Sequence, residues 1–148
     1  MNPLQNIGFL LKDLSRRYVA RFETRTHSIS MTLMQCKVLV HLQRSEGASQ
    51  KKLSELTDIE PMTMVRLLNS MELDKLVERR SDPLDRRARR LYLTAKARPL
   101  LKKIWRLAAQ VRAEMFADIP KDEREIFMRV LERAHENLSP TPESEKTS

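Results

Sequence analysis

The chain has 148 residues, about the length of one domain, of which 41% are hydrophobic and 32% are charged. Its net charge of +8 favours a polyanionic partner, nucleic acid first and an anionic membrane surface second. The longest apolar runs are far shorter than the roughly 20 residues that a membrane span requires, and a composition with 2 glycines predicts a mainly helical protein.

The first predicted element is a helix over residues 3–27. Pro3 is a favourable first helical residue, and Asn2 is a favourable cap before it. This N-terminus lacks the charged region and the cleavage site of a signal peptide. The apolar residues of the helix are spaced 3, 4, 3 and 4 apart, which predicts a heptad-like seam: Leu4, Ile7, Leu11, Leu14 and Tyr18. A second helix is predicted over residues 32–44.

The next two helices are short, and residues 58–60 form the turn between them. Ser49 caps the first, which ends near Thr57 and is expected to bury Leu53 and Leu56. The second begins at Pro61, reaches about residue 74, and is expected to bury Met64, Val65, Leu68 and Met71. Its opposite face then presents Met62, Thr63, Arg66, Asn69 and Ser70. Two short helices joined by so tight a turn are typical of a helix-turn-helix.

A short hairpin follows the helix pair. Residues 77–81 and 90–94 are predicted strands, with Leu91 and Leu93 pointing inward, and residues 82–85 form the turn. Asp82 and Asp85 are expected to pair with arginine and to stiffen the loop. Its arginines suit a minor groove or phosphates: Arg86, Arg87, Arg89 and Arg90. A strand, a basic loop and a strand after a helix-turn-helix predict a wing.

The C-terminal part is predicted to be helical. Thr94 caps a long helix that reaches about residue 117, with a second apolar seam at Leu101, Ile104, Ala108, Val111 and Met115. A last helix over residues 122–138 points Phe127, Val130, Leu131, Ala134 and Leu138 inward. The polar tail is expected to be disordered. The parts are an N-terminal dimerisation helix (1–29), a winged helix-turn-helix head (30–95), C-terminal dimerisation helices (96–138) and the tail (139–148).

Two interpretations of these surfaces stay open. The heptad-like seams either pair two chains or pack only within their own chain. The exposed face of the second short helix is either a solvated surface or a recognition helix in a major groove. Its side chains suit base recognition, because arginine binds guanine, asparagine binds adenine, and an apolar group such as Met62 contacts a thymine methyl.

Residues 32–97 resemble the MarR family of winged helix-turn-helix transcription regulators. The resemblance is carried by the helix pair and by the wing motif LVERRSDPLDRRARRLYLT. The SlyA branch is the most similar, on the segments IEPMTMVRLLNSME and LTAKARPLLKKIWRLAAQVRAEMFADIPKDE. The resemblance implies a mainly α fold with a small β-wing. It also implies an obligate homodimer that places recognition helices in successive major grooves of a near-palindrome and wings in the flanking minor grooves.

The resemblance also assigns roles to individual residues. Asp85 matches the aspartate that braces the wing, and Arg87 matches the arginine that enters the minor groove, with Arg86 as the second choice. The implied DNA-contacting set is Ser49, Gln50, Met62, Thr63, Arg66, Asn69, Arg86, Arg87 and Arg89. The sequence departs from the family pattern at Asp58, Lys75 and Ala97, where glycine is usual, and at Ser54, where a small apolar residue is usual. Aspartate tolerates the left-handed conformation, so the turn at Asp58 is expected to survive.

Many such regulators release DNA when a small phenolic or aromatic acid binds between the dimer lobe and the head. The resemblance implies an effector of this kind. Arg17, His41 and Trp105 lie near that junction in the sequence pattern, although ordinary packing explains each of them more simply.

Other classes of protein fit the sequence less well. Cys36, the single cysteine, excludes an internal disulfide, predicts a cytoplasmic protein, and is better explained as an inert buried thiol than as a redox sensor. The three histidines are too far apart for a metal site, and no motif of a catalytic nucleophile or phosphate loop is present, so neither a metal, a cofactor nor an enzyme is expected. The alternative is a basic helical module that binds an anionic membrane surface or an acidic protein partner.

Overall fold

The computed structural model describes residues 2–85 and 87–140. These form a mainly helical fold with a two-stranded antiparallel wing, as predicted. A 3₁₀ turn at Pro3–Asn6 precedes helix α1, which starts four residues later than expected. The elements in chain order are α1 (Ile7–Thr26), α2 (Leu33–Arg44), α3 (Gln50–Thr57), α4 (Pro61–Leu73), β1 (Val77–Ser81), β2 (Arg89–Leu93), α5 (Ala97–Met115) and α6 (Lys121–Leu138).

Side-chain caps explain where the helices of the head begin. Thr32 and Gln35 form a capping box at α2, in which the Gln35 N–H donates to Thr32 Oγ1 at 3.2 Å and the Thr32 N–H donates to Gln35 Oε1 at 2.9 Å. Ser49 caps α3 as predicted, and its Oγ accepts from the Lys52 N–H at 3.1 Å. Each cap satisfies backbone donors that the first helical turn leaves unpaired.

Two residues at positions where the family pattern usually has glycine adopt a left-handed backbone conformation. Asp58 ends α3 with φ of 55°, which confirms that the turn tolerates an aspartate there. Lys75 follows α4 with φ of 58°, so a lysine holds the conformation that glycine reaches without strain. Each helix of the pair is therefore followed by a left-handed residue that is not glycine.

The core of the head is apolar, and several elements contribute side chains to it. Helices α2, α3 and α4, the base of the wing and the first half of α5 supply it. Its fully buried large side chains include Leu39, Leu42, Leu53, Met64, Leu68, Met71, Leu91 and Ile104. Ile59, in the turn between α3 and α4, is also buried. The short helices are thereby fixed by tertiary packing, which isolated helices of this length require.

Two residues expected in the core lie at its edge. Leu56 is 36% exposed and Val65 is 40% exposed, so the prediction of their burial is wrong. The inward face of α3 is centred on Leu53 and Thr57, and Leu56 lies well round the helix from it. The inward face of α4 consists of Met64, Leu68 and Met71. Val65 lies about 100° from Met64 around the helix and so falls at the edge of that face.

The wing strands pair antiparallel, with Val77 opposite Leu93 and Ser81 opposite Arg89. The return strand spans Arg89–Leu93, one residue earlier than predicted. Leu91 and Leu93 point into the core as expected. Thr94 does not cap α5, which begins at Ala97. Its hydroxyl donates instead to the carbonyl of Lys75 at 2.6 Å and fastens the end of the wing to the turn after α4.

The chain divides into two compact units, Met1–Val111 and Arg112–Ser148. In the first unit, the N-terminal seam is largely exposed: Leu4 is 71%, Ile7 52% and Leu11 46% exposed. In the second unit, Phe116 and Phe127 pack edge to face with ring centroids 5.7 Å apart. Helix α6 buries none of its residues fully, so the expected inward orientation of Val130 and Leu138 is wrong within one chain, where they are 60% and 89% exposed.

Candidate nucleic-acid interface

Helix α4 presents a polar outer face beside a fully buried inner one. Met62 is 66% exposed, Arg66 and Asn69 are exposed, and Thr63 is half-buried. Met64, Leu68 and Met71 hold the opposite side of the helix in the core. The side chains that the sequence assigned to base recognition therefore lie on the outer half of a rigidly packed helix.

Glu60 fixes the N-terminal end of α4, and the sequence interpretation did not identify it. Its carboxylate accepts from the backbone N–H groups of Met62 at 3.4 Å and Thr63 at 3.3 Å, and from the Thr63 hydroxyl at 3.1 Å. The Thr63 side chain is thus held in one orientation. The carboxylate also makes this end of the helix unsuited to a phosphate, whereas an acceptor there suits the amino group of a cytosine. Glutamate is a less usual cap than serine or aspartate, which is why the pattern gave no signal.

Arg79 joins the wing to α4. Its guanidinium donates to Asn69 Oδ1 at 3.0 Å and to Glu72 Oε2 at 3.3 Å, and its side chain is 12% exposed. The first wing strand and the exposed face of α4 are therefore held in register by one side chain. Because the Asn69 oxygen already accepts from Arg79, Asn69 is less suited to bidentate binding of adenine than its sequence position implies.

Arg90 joins the wing to the turn before α3. Its Nε donates to Asp82 Oδ2 at 2.9 Å and its Nη1 donates to the carbonyl of Gly47 at 3.0 Å. Arg90 also forms an isolated antiparallel bridge with Ser49. Asp82 is buried, and the backbone N–H of Leu84, then the Arg90 guanidinium, hold the pKa of its carboxyl below the ordinary value. The ion pair thus closes the base of the wing, while the hydrogen bond to Gly47 and the bridge to Ser49 tie the wing to the turn before α3.

The wing loop places its aspartates differently from one another. Asp82 forms the ion pair, whereas Asp85 Oδ1 accepts from the backbone N–H of Arg87 at 2.9 Å. Among the described residues, Asp82 is therefore the aspartate that pairs with an arginine, and Asp85 braces the loop through a backbone N–H. Arg87 and Arg89 are exposed, as a contact with DNA requires, and Arg86 lies outside the described residues. Arg80 is also on the wing, with its guanidinium 4.1 Å from the centre of the Tyr92 ring.

Helix α3 contributes the remaining predicted contacts. Ser49 is exposed at its cap and Gln50 is half-buried at its first residue. Gln50 and Met62 lie on opposite walls of an open cleft of about 410 Å³ between α3 and α4. The hydroxyl of Ser54 is buried in the wall of this cleft and has no hydrogen-bond partner among the described residues. The two predicted contact helices are therefore separated by a groove with a partly polar wall.

A second cavity, of about 190 Å³, lies between α1, α2 and α5. The residues that line it include Phe22, Cys36, Lys37, His41 and Trp105. Burial raises the pKa of the Cys36 thiol to about 11. Burial, with the nearby charges of Arg44 and Lys37, lowers the pKa of His41. Arg17 instead pairs with Asp13 at 2.8 Å on α1.

Two other features are absent from the part of the chain that the structure describes, a metal-binding cluster and a membrane-spanning helix. Over residues 2–85 and 87–140, no group of three or more His, Cys, Asp and Glu side chains is arranged to hold a metal ion. No helix in that part of the chain is long and apolar enough to cross a membrane.

Known proteins resemble the chain over most of its length. The model of the MarR family matches residues 29–88. The crystal structure of the transcriptional regulator PA3341 is 33% identical in sequence, with a TM-score of 0.75, over 89% of this chain and 97% of that chain. A MarR-family transcriptional regulator from Silicibacter pomeroyi is 24% identical, with a TM-score of 0.76, over 92% of both chains. BpsR from Bordetella bronchiseptica, whose DNA binding is regulated by 6-hydroxynicotinic acid, is 25% identical, with a TM-score of 0.72, over 88% of this chain and 98% of that chain.

Proposed function

The chain belongs to the MarR family of transcription regulators, which are non-enzymatic DNA-binding proteins, and from this we propose that it is a homodimeric, sequence-specific regulator. Two recognition helices α4 would lie in successive major grooves of a near-palindromic operator, with a wing arginine in each flanking minor groove. Within the family we assign the chain to the SlyA-like branch, on the segments that begin at Ile59 and Leu93. Action on DNA requires the cytoplasmic location that the sequence predicts.

The observation that carries the proposal is the fixed connection between α4 and the wing. Arg79 ties β1 to Asn69 on α4, and Arg90 ties β2 to Gly47 before α3. Both ties leave Arg66 and Arg87 exposed on elements whose relative position is set. A protein that contacts two grooves at once needs such preorganisation, because ordering the contacts on binding would cost affinity.

Dimerisation is supported by apolar surface that one chain leaves uncovered. Leu4, Ile7 and Leu11 on the N-terminal segment are exposed and are spaced 3 and 4 residues apart, and Val130 and Leu138 on α6 are also exposed. Monomeric soluble proteins rarely leave contiguous apolar surface of this kind in water. Pairing of two chains through these helices would bury it and would set the spacing of the two heads.

An aromatic or phenolic acid is the effector that the cavity between α1, α2 and α5 suits. The cavity is smaller than the roughly 300–1,000 Å³ of sites for drug-sized ligands, so it suits a single ring. Phe22 and Trp105 provide an apolar wall, and Lys37 provides a cation for a carboxylate. A ligand that favours another spacing of the two heads would lower the population able to bind both half-sites. The ligand of BpsR, 6-hydroxynicotinic acid, is an acid of this class.

The proposal is tested by titrating labelled duplex pools at several salt concentrations with the wild type, Arg87→Ala and Arg106→Ala. We expect selection of a near-palindrome and a steep salt dependence of the binding constant. Arg87→Ala should weaken binding and reduce the logarithmic salt slope by about 2, because the homodimer loses one arginine at each wing and each contributes about 1. Arg106→Ala is the control, because it removes an exposed arginine of α5 outside the head. Weak, sequence-independent binding that is indifferent to Arg87 would contradict the proposal, and anionic vesicles and acidic proteins would then be the partners to test.

The effector is tested separately on the complex of the protein with its selected duplex. Benzoic, 2-hydroxybenzoic and 6-hydroxynicotinic acids are added, and both release of DNA and Trp105 fluorescence are followed. Trp105 is the single tryptophan, so its emission reports on the cavity wall. Val40→Phe should fill the cavity, abolish the response and leave DNA binding intact. A response that survives this substitution would place the effector elsewhere.

A further inference from the structure

The tip of the wing carries an apolar pair, Pro83 and Leu84, within an otherwise charged loop. Leu84 is 94% exposed, the highest value of any large apolar side chain among the described residues. Pro83 beside it is also exposed. An isolated exposed leucine is ordinary on a protein surface. At the tip of a basic hairpin, however, turn positions favour small or polar residues, so a leucine there needs a reason.

The backbone of Leu84 is held in place from below. Its N–H donates to Asp82 Oδ1 at 2.9 Å, while the other carboxylate oxygen of Asp82 accepts from Arg90 at 2.9 Å. The Asp82 N–H donates to the carbonyl of Ala88 at 3.0 Å and closes the base of the loop. One buried carboxylate therefore links the position of Leu84 to the arginine that anchors the wing in the head.

We propose that Leu84, supported by Pro83, is an apolar contact of the wing with the minor groove of duplex DNA. This inference rests on the proposed function. Minor-groove proteins use leucine and proline among their apolar contacts, commonly as wedges between base steps. The side walls of the groove are largely deoxyribose carbon and offer an apolar surface without unstacking of the bases. Arg87, three residues on in the same loop, is exposed and supplies the cation for the negative potential of the groove floor. The leucine packs against the sugars beside it.

This contact gives the wing a component of binding that does not depend on salt. An arginine that binds the groove or a phosphate releases counterions, so its contribution falls as salt rises. Burial of an apolar side chain releases no counterions. The preorganised backbone at Leu84 keeps the entropic cost of the contact small. Affinity from Leu84 and affinity from Arg87 are therefore separable by one measurement, the salt slope.

The test compares wild type, Leu84→Ala, Leu84→Met and Arg87→Ala on the selected duplex across a range of salt concentrations. Leu84→Ala should bind about three- to tenfold more weakly at every salt concentration, as partial burial of a leucine side chain predicts, with an unchanged slope. Leu84→Met is the matched control, since it keeps an apolar side chain of similar size, and should bind within about twofold of wild type. Thermal melting should be equal for the three Leu84 proteins, because the side chain is exposed.

The outcomes separate this inference from the function on which it rests. If Arg87→Ala weakens binding and Leu84→Ala does not, the apolar contact is refuted and the regulator stands. A changed salt slope in Leu84→Ala would also refute it, because the leucine would then act by displacing arginines. If the wild type selects no duplex at all, both proposals fail.

Discussion

Replacement of Arg79 by methionine removes the guanidinium that joins β1 to α4 and keeps most of the apolar stem. The lost interactions are a hydrogen bond of 3.0 Å to Asn69 and an ion pair of 3.3 Å to Glu72. The Glu72 side chain is 44% exposed, so water screens the ion pair, which should contribute at most about 1 kcal/mol. The hydrogen bond should contribute about 1 kcal/mol. We therefore expect Arg79→Met to lower the free energy of unfolding by about 1–2 kcal/mol.

The assay is urea unfolding at one fixed protein concentration, because subunit association makes apparent stability depend on concentration. A double-mutant cycle with Asn69→Ala should give a coupling energy of about 0.5–1 kcal/mol, and a cycle with Glu72→Gln should give less. DNA binding by Arg79→Met should also weaken, since the wing is no longer held in register with α4. A coupling energy of zero with Asn69 would refute the reasoning that this side chain fixes the wing. A loss above about 4 kcal/mol would show that Arg79 belongs to the core instead.

Three further predictions concern the stability of the head. Leu68→Ala, at a fully buried position of α4, should cost about 3–5 kcal/mol in urea unfolding, whereas Leu73→Ala, at an 84% exposed position of the same helix, should cost less than about 0.5 kcal/mol. Lys75→Gly should stabilise the protein by about 0.5–1 kcal/mol, because glycine adopts the left-handed backbone at this position without strain, and Lys75→Ala, which keeps a Cβ, should gain nothing by comparison. Burial raises the pKa of Cys36 from its ordinary 9.0 to about 11, so the folded state keeps the thiol protonated and should lose stability as pH rises from about 9 to 11. Cys36→Ala should lessen that loss in a series of unfolding curves, and equal slopes for the two proteins would contradict it.

Much of the head could be predicted because its signals are local. The cap at Ser49, the left-handed turn at Asp58 and the inward alternation of Leu91 and Leu93 each depend on a few neighbouring residues, and the structure contains all three. Helical periodicity located the buried side of α4 for the same reason, because 3.6 residues per turn place Met64, Leu68 and Met71 on one face. Val65 was misassigned where the apolar pattern was broader than the face that packs.

The sequence by itself thus determined the order of the helices, the helix-turn-helix, the wing and the concentration of arginine at its tip. Tertiary structure decided which charged groups are structural. Six arginines of the wing look alike in sequence, yet Arg79 and Arg90 hydrogen-bond to Asn69 on α4 and to Gly47, while Arg87 and Arg89 are exposed in the loop and at its end. Among the residues that the structure describes, Asp82 rather than Asp85 forms the ion pair with an arginine, for the same reason. Such partners lie 8 to 43 residues apart along the chain, so only the packed fold brings their atoms within hydrogen-bonding distance.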